Sequence, residues 1–205
     1  MSARLAGVLA LSVVALAAGC GGGSKSDPAA STSGDPAVKG TALVPPLRTH
    51  DFDLRDQSGK LVRLSAQRGR WVVLTFLYTH CPDVCPLIAD QLNLALQRLG
   101  PQGRRTMRVI AVSVDPRRDT EAALRHFVAA HALLPQFRFV TGTRAQLAPV
   151  WQAYHIAATP DGKTVSHSSF EILIDPSGKG RVIYDSQVKA GDVLHDLRAL
   201  GDAQA

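Results

Sequence analysis

Residues 71–86 read Trp71-Val72-Val73-Leu74-Thr75-Phe76-Leu77-Tyr78-Thr79-His80-Cys81-Pro82-Asp83-Val84-Cys85-Pro86. The first eight form a continuous β-prone apolar run, which suits a central strand buried on both faces. Beyond the loop, Val84, Ile88, Leu92, Ala95, Leu96 and Leu99 recur at helical spacing and predict one apolar helix face. Gly100-Pro101 is expected to stop that helix. Pro86 falls in its first turn, where a missing N–H costs nothing, and Asp83 is the expected N-cap. Cys81 is then on the strand-to-helix loop and Cys85 in the first turn. Both sulfurs can face one cavity, and the positive helix end favours their thiolates.

Outward from this segment, polar and apolar residues alternate over Asp51–Leu54 and Leu61–Leu64 around a turn at residues 56–60, a hairpin signal. Met107–Val114 reads as a second buried strand. Asp119 or Thr120 is expected to cap a helix to about Ala132. Phe137–Val140 is a short strand, and residues 143–154 a helix that Pro149 could break. Phe170–Ile174 and Arg181–Tyr184 flank the turn Asp175-Pro176-Ser177-Gly178, a second hairpin, and Ala190–Leu200 closes as a helix. The alternation predicts an α/β domain with a central mixed sheet flanked by helices. A cysteine motif at the end of the first buried strand, opening a helix, is the thioredoxin-like arrangement.

The N-terminal residues carry a different message. Arg4 precedes a run from Leu5 to Ala18 that is too short for a membrane anchor and fits a secretory signal. It ends in Leu16-Ala17-Ala18-Gly19-Cys20, which resembles the lipobox of bacterial lipoproteins. The expected organisation is a signal over residues 1–19, a lipidated Cys20 with a flexible Gly/Ser/Pro-rich tether to residue 48, and one folded domain over 49–201. The localisation expected is a bacterial cell membrane, lipid-anchored, with the domain on the extracytoplasmic side. Of three cysteines, that leaves Cys81 and Cys85 for chemistry.

Two such thiolates can close a structural disulfide, exchange disulfides, or bind a soft metal. Metal binding calls for a third donor. His167 is the best placed of seven histidines, because it lies just before the strand Phe170–Ile174, in the loop that faces the cysteines in a thioredoxin-like fold. His80 is the second choice. His126, His131, His155 and His195 fall on or near helices without a donor cluster, and His50 precedes the first strand.

Three blocks together resemble the Sco/SenC family. They are Phe52-x-Leu54 through Phe76-x-Tyr78-Thr79-x-Cys81-Pro82-Asp83-x-Cys85-Pro86, then Val112-Ser113-Val114-Asp115-Pro116-x-x-Asp119-Thr120, and His167-Ser168-Ser169 before Leu173-Ile174-Asp175-Pro176-x-Gly178. The likeness runs over residues 50–200. It implies a thioredoxin-like fold with an added N-terminal β-hairpin. It implies copper held by Cys81, Cys85 and His167, with delivery to the binuclear copper centre of cytochrome c oxidase subunit II. Ser166 stands where many members carry an acidic residue, a change that touches support of the imidazole. Two thiolates and an imidazole suit Cu(I), and Cu(II) with further donors. Loading requires reduced cysteines, hence a thioredoxin-like thiol reductant as partner.

The rival reading is a thiol–disulfide oxidoreductase with Cys81 as nucleophile and Cys85 as resolving thiol, forming a redox-active disulfide and keeping a copper protein's cysteines reduced. It needs no histidine. A peroxidase of the peroxiredoxin type is disfavoured because Tyr78 stands where that chemistry wants threonine. The reading preferred is a metallochaperone and not an enzyme. The formal charge of +6 is dispersed, with short clusters at Arg104-Arg105 and Arg117-Arg118 expected in loops, so no nucleic-acid partner is inferred. Asp83 can cap the helix or tune the copper site.

Overall fold

The computed structural model describes residues 37–157, 159–161, 164–166 and 169–202. Cys20 and His167, the signal and most of the tether lie outside them. Ten strands and five α-helices follow one another along these residues. The strands are β1 (Thr41–Arg48), β2 (Asp53–Asp56), β3 (Leu61–Arg63), β4 (Trp71–Leu77), β5 (Met107–Ser113), β6 (Phe137–Thr141), β7 (Thr159–Asp161), β8 (Thr164–Ser166), β9 (Phe170–Ile174) and β10 (Lys179–Asp185). The helices are α1 (Val84–Arg98), α2 (Gly100–Thr106), α3 (Glu121–Ala130), α4 (Arg144–Ala153) and α5 (Ala190–Asp202).

Eight strands form one mixed sheet in the order β1-β10-β9-β4-β5-β6-β2-β3, and β7-β8 pair as a separate ribbon. The apolar run proves to be the middle of that sheet. All seven residues of β4 are buried, between parallel β5 and antiparallel β9. Strand alternation sorts the helices. Phe139 shares a face with Ala111 and Thr75 through the β4-β5-β6 register, and Phe127 of α3 packs edge-on against Phe139. Helix α1 meets the end of α3 on that face through Asn93 and Ala132, and α5 packs on α1. The opposite face carries α4, whose end places Tyr154 against Phe76 with ring centroids 5.5 Å apart. This is the α/β, thioredoxin-like architecture expected, with the β2-β3 hairpin added at one sheet edge.

Several local expectations give way. The tether does not run through residue 48, because Thr41–Arg48 forms β1 and pairs antiparallel with β10. Gly100-Pro101 ends α1 but starts α2: Gly100 takes a left-handed φ of +67°, and the proline occupies the first turn of the new helix. Arg104 and Arg105 therefore lie on a helix, not in a loop. Asp83 makes no side-chain capping bond to α1. Thr120, not Asp119, caps α3 by accepting from the Ala123 amide. Helix α4 continues through Pro149, and its start is closed by a reciprocal bond pair between Thr143 and Gln146. The β7-β8 ribbon was not anticipated.

Candidate metal and thiol site

The loop after β4 is fixed from beneath. Asp119, 1% exposed, accepts from the Thr79 amide at 2.9 Å and its hydroxyl at 2.7 Å, while Ser113 Oγ donates to its other oxygen at 2.5 Å. Burial raises the Asp119 pKa despite these bonds. The carboxyl thus ties the end of β5 to the loop that carries the cysteines. Sequence reading placed Asp119 among helix caps. Its actual work depends on β5 lying beside β4, which no local pattern states.

Cys81 and Cys85 come together as the spacing required. Cys85 is in the first turn of α1 and fully buried; Cys81 is 9% exposed. The Cys85 amide donates to Cys81 Sγ at 3.4 Å, a helix N-terminal N–H aimed at sulfur. Both cysteines are free thiols in this structure. Their acidities part sharply. A hydrogen bond from the Cys85 thiol, opposed by burial and aided by main-chain amides at Asp83 and Cys85, draws Cys81 down to about 5. That same bond, together with burial, pushes Cys85 far up. The pair is one thiolate steadied by one thiol, which suits a soft metal ion or attack on a disulfide.

His80 is exposed, and its Nδ1 engages Thr79 Oγ1 at 2.9 Å. It lines an open groove of about 460 Å³ beside Cys81, with Pro86, Ala123, His126, Phe127 and His131. Among the described residues no three His, Cys, Asp or Glu side chains stand close enough to hold a metal, so neither His80 nor the helix histidines complete a site with the two cysteines. Strand β9 runs antiparallel to β4, with Leu74 opposite Ile172, and Phe170 packs on Phe76 at 5.7 Å between ring centroids. The start of β9 therefore lies at the end of β4 from which the cysteine loop leaves. Residue 167 lies three positions before that start and outside the described residues.

A family model described as SCO1/SenC matches residues 43–201. The bovine mitochondrial protein SCO2 homolog is 31% identical over 155 residues, covering 72% of this chain and 58% of its own length. The chain thus spans little more than half of that relative. Two solved structures are similar throughout the domain. Bradyrhizobium japonicum ScoI with copper bound is 30% identical with a TM-score of 0.65, over 73% of this chain and 97% of that one. Apo Sco1 from Thermus thermophilus is 30% identical with a TM-score of 0.69, over 80% and 98%. No described helix is long and apolar enough to cross a membrane.

Proposed function

The chain belongs to the SCO1/SenC family, and on that footing we propose that it is a copper metallochaperone. Copper is its cargo, bound by Cys81, Cys85 and His167 and passed to the binuclear copper centre of cytochrome c oxidase subunit II. The observation that carries this reading is the thiolate–thiol pair at the α1 N-terminus, placed where the start of β9 also lies. One low-pKa sulfur accepts soft Cu(I) without first losing a proton at neutral pH. The second gives up its proton only when a metal or a disulfide replaces it. An imidazole from residue 167 completes a trigonal soft set, whereas zinc wants a fourth donor. Copper bound in the relative of known structure supports the choice of metal.

Anchoring follows from the leader. Cys20 takes the lipid and residues 21–40 tether the domain on the extracytoplasmic side. A thioredoxin-like reductant keeps Cys81 and Cys85 open for loading.

The depressed acidity of Cys81 also favours the second reading, disulfide exchange on a copper protein's cysteines. Mixing copper-loaded chain with the metal-free copper domain of subunit II separates the two. The chaperone reading expects copper to leave this chain for the target, whose binuclear centre then shows its absorption once ferricyanide removes one electron. No transfer, with copper-free reduction of the target's disulfide that ignores His167→Ala, would establish the redox reading instead.

A further inference from the structure

At the end of the sheet away from the cysteines, the fold gathers cations that the sequence scatters. Arg108 is the second residue of β5 and Arg138 the second of β6. Val72 pairs with Arg108 and Ile110 with Arg138, so both arginines lie on the α4 face as diagonal neighbours. Helix α4 is joined to that face at its cysteine end, through Tyr154 on Phe76 and the Trp151 N–H on the Ser113 carbonyl. The arginines, Lys60, Asp56 and Gln67 line a cavity of about 180 Å³ under β3. Arg70, just before β4, adds its charge at close range: burial, then Arg70 and Arg138, lower the Arg108 pKa.

Of these cations, Arg138 is paired within the cavity. Asp56 is the cavity's one carboxylate. Its Oδ1 is taken by Ser58 and the Lys60 amide, and its Oδ2 by Arg138 at 3.0 Å. Among the described residues Arg108 donates only from Nη1, to the Arg104 and Met107 carbonyls, and it lines the cavity with its other N–H groups unmatched there. Arg70 and Arg138 repel the Arg108 charge, and partial burial weakens solvent screening. A fork of guanidinium N–H groups matches phosphate oxygens.

We propose that this cavity binds a phosphate-type oxyanion, held by Arg108 and Lys60 and backed by Arg138. The chemistry is shared by free phosphate and by the headgroup of an anionic phospholipid. The site lies at the sheet end opposite the cysteines, so occupancy there leaves the thiols open.

Thermal unfolding of the full, reduced, metal-free chain tests it, with inorganic phosphate titrated against chloride at equal ionic strength. Ligand that binds only the folded state raises the midpoint. The parent should gain about 2–4 °C more than Arg108→Met. Lys60→Gln, on an exposed turn, should lose part of the gain and serves if Arg108→Met does not fold. Equal gains in parent and variants overturn the site, because the general salting effect of phosphate acts on all three alike. In parallel, sedimentation with phosphatidylglycerol vesicles is compared with phosphatidylcholine. Retention specific to phosphatidylglycerol and reduced by Arg108→Met supports the site with a headgroup as ligand. A phosphate response without that retention supports it with free phosphate.

Discussion

Two sulfurs four residues apart have opposite chemistry because one helix end treats them differently. Cys81 receives the Cys85 amide and thiol, and Cys85 is wholly enclosed. At pH 7 the reduced, metal-free protein should therefore lose Cys81 to iodoacetamide first, with Cys85 alkylated at least tenfold more slowly, as peptide mapping would read. Equal rates would contradict the assignment of the thiolate. The cysteines were legible in the sequence because a strand run, a loop and a helical period bracket them. Asp83 misled: its type fits an N-cap, yet its side chain makes no capping bond. Asp119 was misplaced for the opposite reason, since its partners Thr79, on the loop after β4, and Ser113, at the end of β5, come together only by tertiary pairing.

Elements with their own apolar period were readable; elements that exist by pairing were not. Strand β1 is almost wholly exposed and follows a Gly/Ser/Pro-rich stretch, so composition alone reads as tether. Backbone bonding to β10 makes it a strand, and Gly40 lets the chain come close. A Cβ there would collide with the Val182 and Tyr184 side chains. Strand β9 holds the opposite case, a polar group inside an apolar run. Glu171 is fully buried, with Oε1 accepting from Thr75 at 3.3 Å and Oε2 without a partner among the described residues. Burial pushes its pKa up to about 8. The folded state thus keeps a proton that the unfolded chain releases near 4.5. Stability should fall as pH rises from about 4.5 to about 8 through this group. Glu171→Gln removes that slope. Urea unfolding should find parent and variant alike near pH 4.5, and the variant several kcal/mol more stable at pH 9. A parent advantage at pH 9 would show that the ionised carboxylate has a partner.

At the scale of the molecule, the sheet sorts chemistry to its two ends. The C-terminal ends of β4 and β5 and the start of β9 meet at the cysteine loop, while the N-terminal ends of β5 and β6 present Arg108 and Arg138. Neither grouping is local. The charge looked dispersed along the chain because Lys60, Arg70, Arg108 and Arg138 are far apart in sequence and adjacent only after the strands pair. Which end of β4 the start of β9 reaches is likewise set by strand pairing, through the antiparallel register. The central claim is that Cys81, Cys85 and His167 hold one copper. Anaerobic Cu(I) titration of the reduced chain beside its His167→Ala variant tests it most directly. The account predicts one tightly bound copper per parent chain and a loss of at least tenfold in affinity in the variant. Equal affinity in the two proteins would contradict it.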